Sequence, residues 1–334
     1  MNTRDYPPQA DEADRDLLAR AAAEIGRPSF HISKQWIAQQ EIDPATAALY
    51  LSLRASPVHE PLIRAIEAGC SPDDDEPPTL VIMPGAFHRH HDHTGADGAC
   101  LLTAAAALGW PCPRVVDVPS LGSLQDNAAA LIEHLRRACP PGCGRIVLAS
   151  LSKGSADVAV ALRHPDAPEA FAHVRGWVSL SGLLFGTPLV QWLRRSRLRM
   201  AGVHLSLWMK GLRFGPVQEL RHDRQTLDTG PPVPSHFRAI HVFGFPLRRH
   251  LRHPWAPKGY ERLAPLGPND GGGILLADAL RVPGCVYPVW GADHYLKPAW
   301  DFSAALRNLL LYAANSPSAA SAPAAGQPAP QVNE

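Results

Sequence analysis

The chain is poor in features that would assign it quickly. Its 334 residues carry 32 Lys and Arg against 31 Asp and Glu, a formal net charge of +1, so there is no global field to recruit nucleic acid. No run reaches the roughly 18 apolar residues of a membrane-spanning helix. The opening Met1-Asn-Thr-Arg-Asp-Tyr-Pro-Pro lacks the apolar core of a secretory signal, so the expected location is the cytoplasm. Cysteines are few and scattered, at 70, 100, 112, 139, 143 and 285. Only Cys139 and Cys143 are close, around a Pro-Pro-Gly turn. One such pair lacks the second half of a zinc site, so both read as ordinary thiols. There is no internal repeat.

What the chain does have is a core's worth of apolar residues, 46% of the total, and 34 prolines that punctuate its elements. Residues 1–75 read as a helical leader. Asp14 to Ile25 is amphipathic and stopped by Gly26, a second helix opens at Asp43-Pro44, and a third runs from Pro61 to Ala68. From 76 to 314, apolar runs alternate with helical patterns. Strands are expected at 79–83, 114–118, 145–149, 174–180, 239–245 and 285–290, with helices at 96–108, 123–139, after Gly154 and at 300–314. This order predicts an α/β fold: a mostly parallel, doubly wound sheet with helices on both faces. A helical cap is expected at 187–236, where the alternation breaks. The Ala/Pro/Ser-rich stretch 315–334 reads as a disordered tail.

Within that frame, Ile146 to Ala149 is a strand, Ser150-Leu-Ser-Lys-Gly154 a tight passage and Ser155 to Leu162 a helix. A strand, a sharp turn with serine at its apex, small residues two positions to either side and then a helix make a nucleophile elbow. Ser152 is the apex, and Ser150 stands where glycine is usual. A rival motif overlaps it: Ser150-Leu-Ser-Lys153 also spells S-x-x-K, with Ser150 as nucleophile and Lys153 as base. That arrangement needs a K-T-G element, which the chain lacks.

The pattern over about 76–314 resembles the α/β-hydrolase superfamily. The resemblance rests on Pro84-Gly-Ala-Phe87 after the first strand, the elbow at Ser152, Asp270 in the loop before the last strand, and His294 in Trp290-Gly-Ala-Asp-His294 after it. It implies a triad in the chain order Ser, acid, His. Ser152 would be the nucleophile, His294 the base and Asp270 the orienting carboxylate. Asp278 is the reserve acid. Asp293, adjacent to His294, is a poor orienter, and the turn Ser181-Gly-Leu183 offers no carboxylate. The backbone N–H of Lys153 and that of Ala86 or Phe87 would form an oxyanion hole, leaving the Lys153 side chain free for another role. Each residue also has a plainer reading: a strand-end serine, an Asx-turn aspartate beside Gly271 and a core histidine.

The resemblance implies a serine esterase or lipase-like enzyme acting on a small-molecule ester without cofactor. Acyl transfer, thioester cleavage or a non-catalytic binding role on the same scaffold are the alternatives. His88-Arg-His-His-Asp-His93 is rich enough in imidazole to suggest zinc. Consecutive ligands on one short loop rarely converge, however, so no metal is expected, and His88 and His91 are assigned to the mouth of the site. Trp192 and Trp208 of the cap are assigned to the substrate pocket. Its arginines suit a carboxylate or phosphate on the substrate, weak contact with an anionic membrane surface, or simple solvation.

Overall fold

In a computed structural model, residues 7, 10–26, 34–72, 76–111, 113–138, 145–222 and 230–315 are described. The Cys139–Cys143 turn and the tail beyond 315 lie outside them. Six strands, β1 (Thr79–Met83), β2 (Arg114–Val115), β3 (Ile146–Leu151), β4 (Val174–Leu180), β5 (Arg238–Phe245) and β6 (Cys285–Trp290), form one sheet in the order β2-β1-β3-β4-β5-β6. Every adjacent pair is parallel. Alternate residues of a strand point to opposite faces, and both faces are apolar. In β3, Ile146 and Leu148 enter one core, while Val147, Ala149 and Leu151 enter the other. The first core lies under α6 (Leu124–Ala138) and α7 (Lys153–Ala161), the second under α5 (Ala99–Ala107) and α13 (Ser303–Ala314). The chain steps outward from β1 to β2, then returns past β1 to β3. This reversal opens a crevice at the carboxyl ends of β1 and β3, where open α/β sheets place their ligands.

The leader is built into this core. Its helices are α1 (Glu12–Ile25), α2 (Lys34–Gln39), α3 (Ile42–Arg54) and α4 (Glu60–Ala68). Residues of α1 and α3 share the first core with Phe245 and Trp290, and those of α4 share the second with Leu310. The Tyr50 ring packs 5.0 Å from that of Trp290, whose indole N–H donates to the buried Asp14 carboxylate at 2.9 Å. Asp14 is also paired with Arg249.

Several elements differ from the sequence reading. The helix expected at Asp43 begins at Ile42 with Glu41 as N-cap. Pro44 still falls in the first turn, where its missing N–H leaves no bond unmade. α5 starts at Ala99, not 96, because Gly98 takes a left-handed φ of 84°. Asp97 therefore precedes the helix and accepts from the Ala99 amide. The second strand pairs over only two residues, both exposed. Among the described residues no helix is long and apolar enough to cross a membrane. After α8 (Ala167–Ala170), the cap contributes α9 (Pro188–Arg194), α10 (Arg197–Met209) and α11 (Gly215–Glu219).

Candidate active site

The sharpest bend lies where β3 meets α7. Ser152 adopts φ 47° and ψ −115°, a sparsely populated conformation for a residue with a Cβ. The surroundings hold it there: its amide donates to Leu180 O at 2.9 Å and its carbonyl accepts from the Leu183 amide at 3.1 Å. A Cβ on Gly154 would lie 2.5 Å from both Met83 O and Pro84 O, so glycine is required two residues on. Serine is tolerated two residues back because Ser150 is fully buried, accepts from the Trp177 indole at 2.8 Å and meets Ser155 Oγ at 2.8 Å. That burial takes Ser150 out of reach of a substrate. It also removes the S-x-x-K alternative, since Lys153 Nζ turns away to Asp157.

His294 and Asp270 converge on Ser152 from the loops on either side of β6. Ser152 Oγ lies 3.0 Å from His294 Nε2, and His294 Nδ1 lies 2.5 Å from Asp270 Oδ2. The other carboxylate oxygen, Oδ1, accepts from the amides of Gly272, Gly273 and Ile274, each at 2.9 Å. With these amides turned onto Asp270, the chain beyond them forms only a short 3₁₀ turn at Leu276–Leu280. Burial pushes the Asp270 carboxyl up, but the His294 charge and these donors outweigh it and hold the group below the ordinary carboxylate range. Burial likewise pulls the His294 imidazole down. The Asp270 and Asp293 carboxylates reverse this and leave it above its usual value. This arrangement selects the tautomer with hydrogen on Nδ1 and a lone pair aimed at the serine.

The competing acids are engaged elsewhere. Asp278 bonds His222 at 2.8 Å. Asp293 accepts from the amides of Arg252, His253 and Tyr295 and so holds a neighbouring loop.

Of the expected oxyanion donors, the Lys153 amide opens α7 just after the bend. Of the two candidate amides on the 84–87 turn, that of Phe87 is engaged, donating to Ser120 O at 2.9 Å. Phe87 takes a positive φ of 61°, a strained turn that accompanies this pairing. The Lys153 side chain is not free, contrary to expectation. It is buried beneath the bend, with Nζ 2.7 Å from Asp157 Oδ1, and Asn127 donates to the other oxygen at 3.0 Å. Burial raises the Asp157 carboxyl to about 6 against these two partners.

The histidine loop forms a wall by stacking. His88 Nδ1 sits 3.0 Å from Gly85 O, beside the turn after β1. His91 packs between Phe87 and Trp255 and accepts from Lys210 Nζ at 2.8 Å. His93 stacks on His253, and His253 on Tyr295, whose ring abuts His294. Among the described residues no three His, Cys, Asp or Glu side chains converge as metal ligands. His253, Trp255 and Tyr295 were not singled out from the sequence, where nothing links 93 to 253.

The cap tryptophans do not line the serine. Trp192 lies between the guanidinium groups of Arg199 and Arg262, at 4.0 and 4.2 Å. It lines a separate cavity of about 730 Å³ between α9 and α12 (Ala256–Leu263), whose walls include none of the three converging residues. Trp208 is 75% exposed on the outer face of α10. The cap instead meets the loop after β1 through Leu207 and Phe214, packed with Leu121, Ala86 and Phe87.

A parallel doubly wound sheet with a strained serine bend, and an acid and a histidine delivered by later loops, is the α/β-hydrolase fold. Similar solved structures carry it too. The metagenomic carboxyl esterase MGS0156 superposes with a TM-score of 0.54 at 18% identity, over 89% of this chain and 98% of that one. The mature Bacillus licheniformis lipase BlEst2 gives 0.50 at 20% identity, over 73% of this chain and 93% of that one. No family model and no curated protein matches the sequence.

Proposed function

We propose that this chain is a serine hydrolase that cleaves a carboxylic ester of a small molecule through an acyl-enzyme. Ser152 is the nucleophile, His294 the general base and then acid, and Asp270 the orienting carboxylate. The observation that carries the reading is the unbroken hydrogen-bond line from Ser152 Oγ through both ring nitrogens of His294 to Asp270, at 3.0 and 2.5 Å.

A serine hydroxyl is a weak nucleophile at neutral pH and needs a base within reach of its proton. As Oγ attacks the ester carbonyl, Nε2 takes that proton, and Asp270 stabilises the imidazolium. The oxyanion forms beside the amides of Lys153 and Ala86, donors worth about 10² to 10³ in turnover apiece. Collapse breaks the bond to the alcohol, which leaves with the proton from Nε2. Water then attacks the acyl-enzyme by the same route in reverse and frees the acid. The apolar cluster of Leu121, Leu207 and Phe214 beside Phe87 supplies a wall for the acyl group.

A fluorophosphonate probe should label the wild-type protein and not Ser152→Ala, with both proteins equally folded by circular dichroism. Labelling that survives the substitution would refute the assignment.

A further inference from the structure

The outer face of the cap has no part in the reaction proposed above. Of the thirteen residues of α10, only Leu207 is buried. The inner side of the helix, Met200, Val203 and Leu207, packs against the cluster that holds Phe87. The outer side is bare: Leu198 is 86% exposed, Leu205 57%, Trp208 75% and Met209 75%. These are four of the nine exposed large hydrophobics among the described residues, so the exposure is concentrated on one element. At 3.6 residues per turn, Leu198, Leu205 and Met209 fall within about 40° of one another around the axis. Ala201, Gly202 and Trp208 widen the stripe.

The charge around the stripe has one sign. Residues 187–218 contain Arg194, Arg195, Arg197, Arg199, Lys210 and Arg213, and no Asp or Glu. On the helix, Arg197 borders one side of the stripe, and Arg199 and Lys210 border the other. A second copy laid face to face on this surface would oppose its own cations. An anionic lipid surface satisfies both features, because its headgroups attract the arginines while the acyl boundary accepts the stripe and a tryptophan.

We infer that this face docks the protein on an anionic membrane surface, with α10 lying in the plane of the headgroups. The inference stands apart from the catalytic reading and needs none of the converging residues. Docking would put the loop after β1 about one helix diameter, roughly 10 Å, from the lipid.

The test is co-sedimentation of the full chain with vesicles of phosphatidylcholine alone and of phosphatidylcholine mixed with phosphatidylserine. Binding to the mixed vesicles should be at least about tenfold tighter and weaken steeply with salt. Ser152→Ala should bind like wild type. Leu198→Ser with Leu205→Ser should weaken binding at least about tenfold while leaving turnover of a water-soluble ester unchanged. Removing two cations, by Arg197→Gln with Arg213→Gln, should weaken it about twentyfold. Equal binding to both vesicle types, binding to neither, or variants that bind like wild type would overturn the proposal. So would a concentration-dependent dimer abolished by the two leucine substitutions, since the stripe would then belong to a second copy.

Discussion

Replacing Gly272 by alanine tests the position of the histidine without substituting any reacting group. The backbone at Gly272 lies outside the left-handed region, so alanine itself is not strained there. A Cβ at this position would lie 2.1 Å from His294 Cγ, 2.2 Å from its Cβ and 2.5 Å from Cδ2. Carbon atoms rest at about 3.5 Å, so the ring must withdraw by about 1.4 Å. The 3.0 Å contact from Nε2 to Ser152 Oγ cannot survive that movement. Misplacement by about 1 Å costs about 10² in rate, so kcat should fall at least about 100-fold with KM little changed. Relief of the overlap should also cost about 1–3 kcal/mol of stability. Steady-state hydrolysis of a p-nitrophenyl ester, run beside thermal unfolding, separates the two effects. Gly215→Ala, where an added Cβ meets nothing within 4 Å, is the control. A folded Gly272→Ala protein with turnover within about threefold of wild type would refute His294 as the base.

Asp270→Asn should lower kcat by about 10⁴, because the amide holds the wrong tautomer. Asp278→Asn, at the residue bound to His222, should stay within a few-fold in the same assay. The base must be neutral to act, and the Asp270 and Asp293 carboxylates hold His294 above its ordinary 6.5. The pH profile of kcat/KM should therefore rise through a midpoint above 6.5, and Asp270→Asn should move that midpoint down. Lys153→Met would strand the Asp157 carboxylate, fully buried, without its cation. Breaking such a pair costs about 3–5 kcal/mol, measurable by urea unfolding. Turnover per folded molecule should change little, because the backbone donor remains.

The sheet was legible because buried parallel strands are continuous apolar runs between helices, and all six expected strands pair in one sheet. The three converging residues were legible because the resemblance to the α/β-hydrolase superfamily implies a serine, an acid and a histidine in that chain order. Details fixed by tertiary contact were not. Nothing local tells that the Phe87 amide is taken by Ser120, or that three amides turn onto Asp270. The partner of Lys153 was within reach, since Asp157 lies four residues on along the same helix. The tryptophans failed because aromatic content alone does not say which side of a cap helix faces inward.

The bond between Asp14 and the Trp290 indole joins residues 276 apart. A ribosome makes the first of these long before the last. Until β6 emerges, α1 and α3 have no Trp290 to close on, and the apolar faces they later bury there stay open to other chains. These N-terminal helices can thus close only after the last strand has been made. The strand that carries His294 into place is the one the leader has been waiting for, so assembly of the site and closure of the N-terminal helices become a single late event.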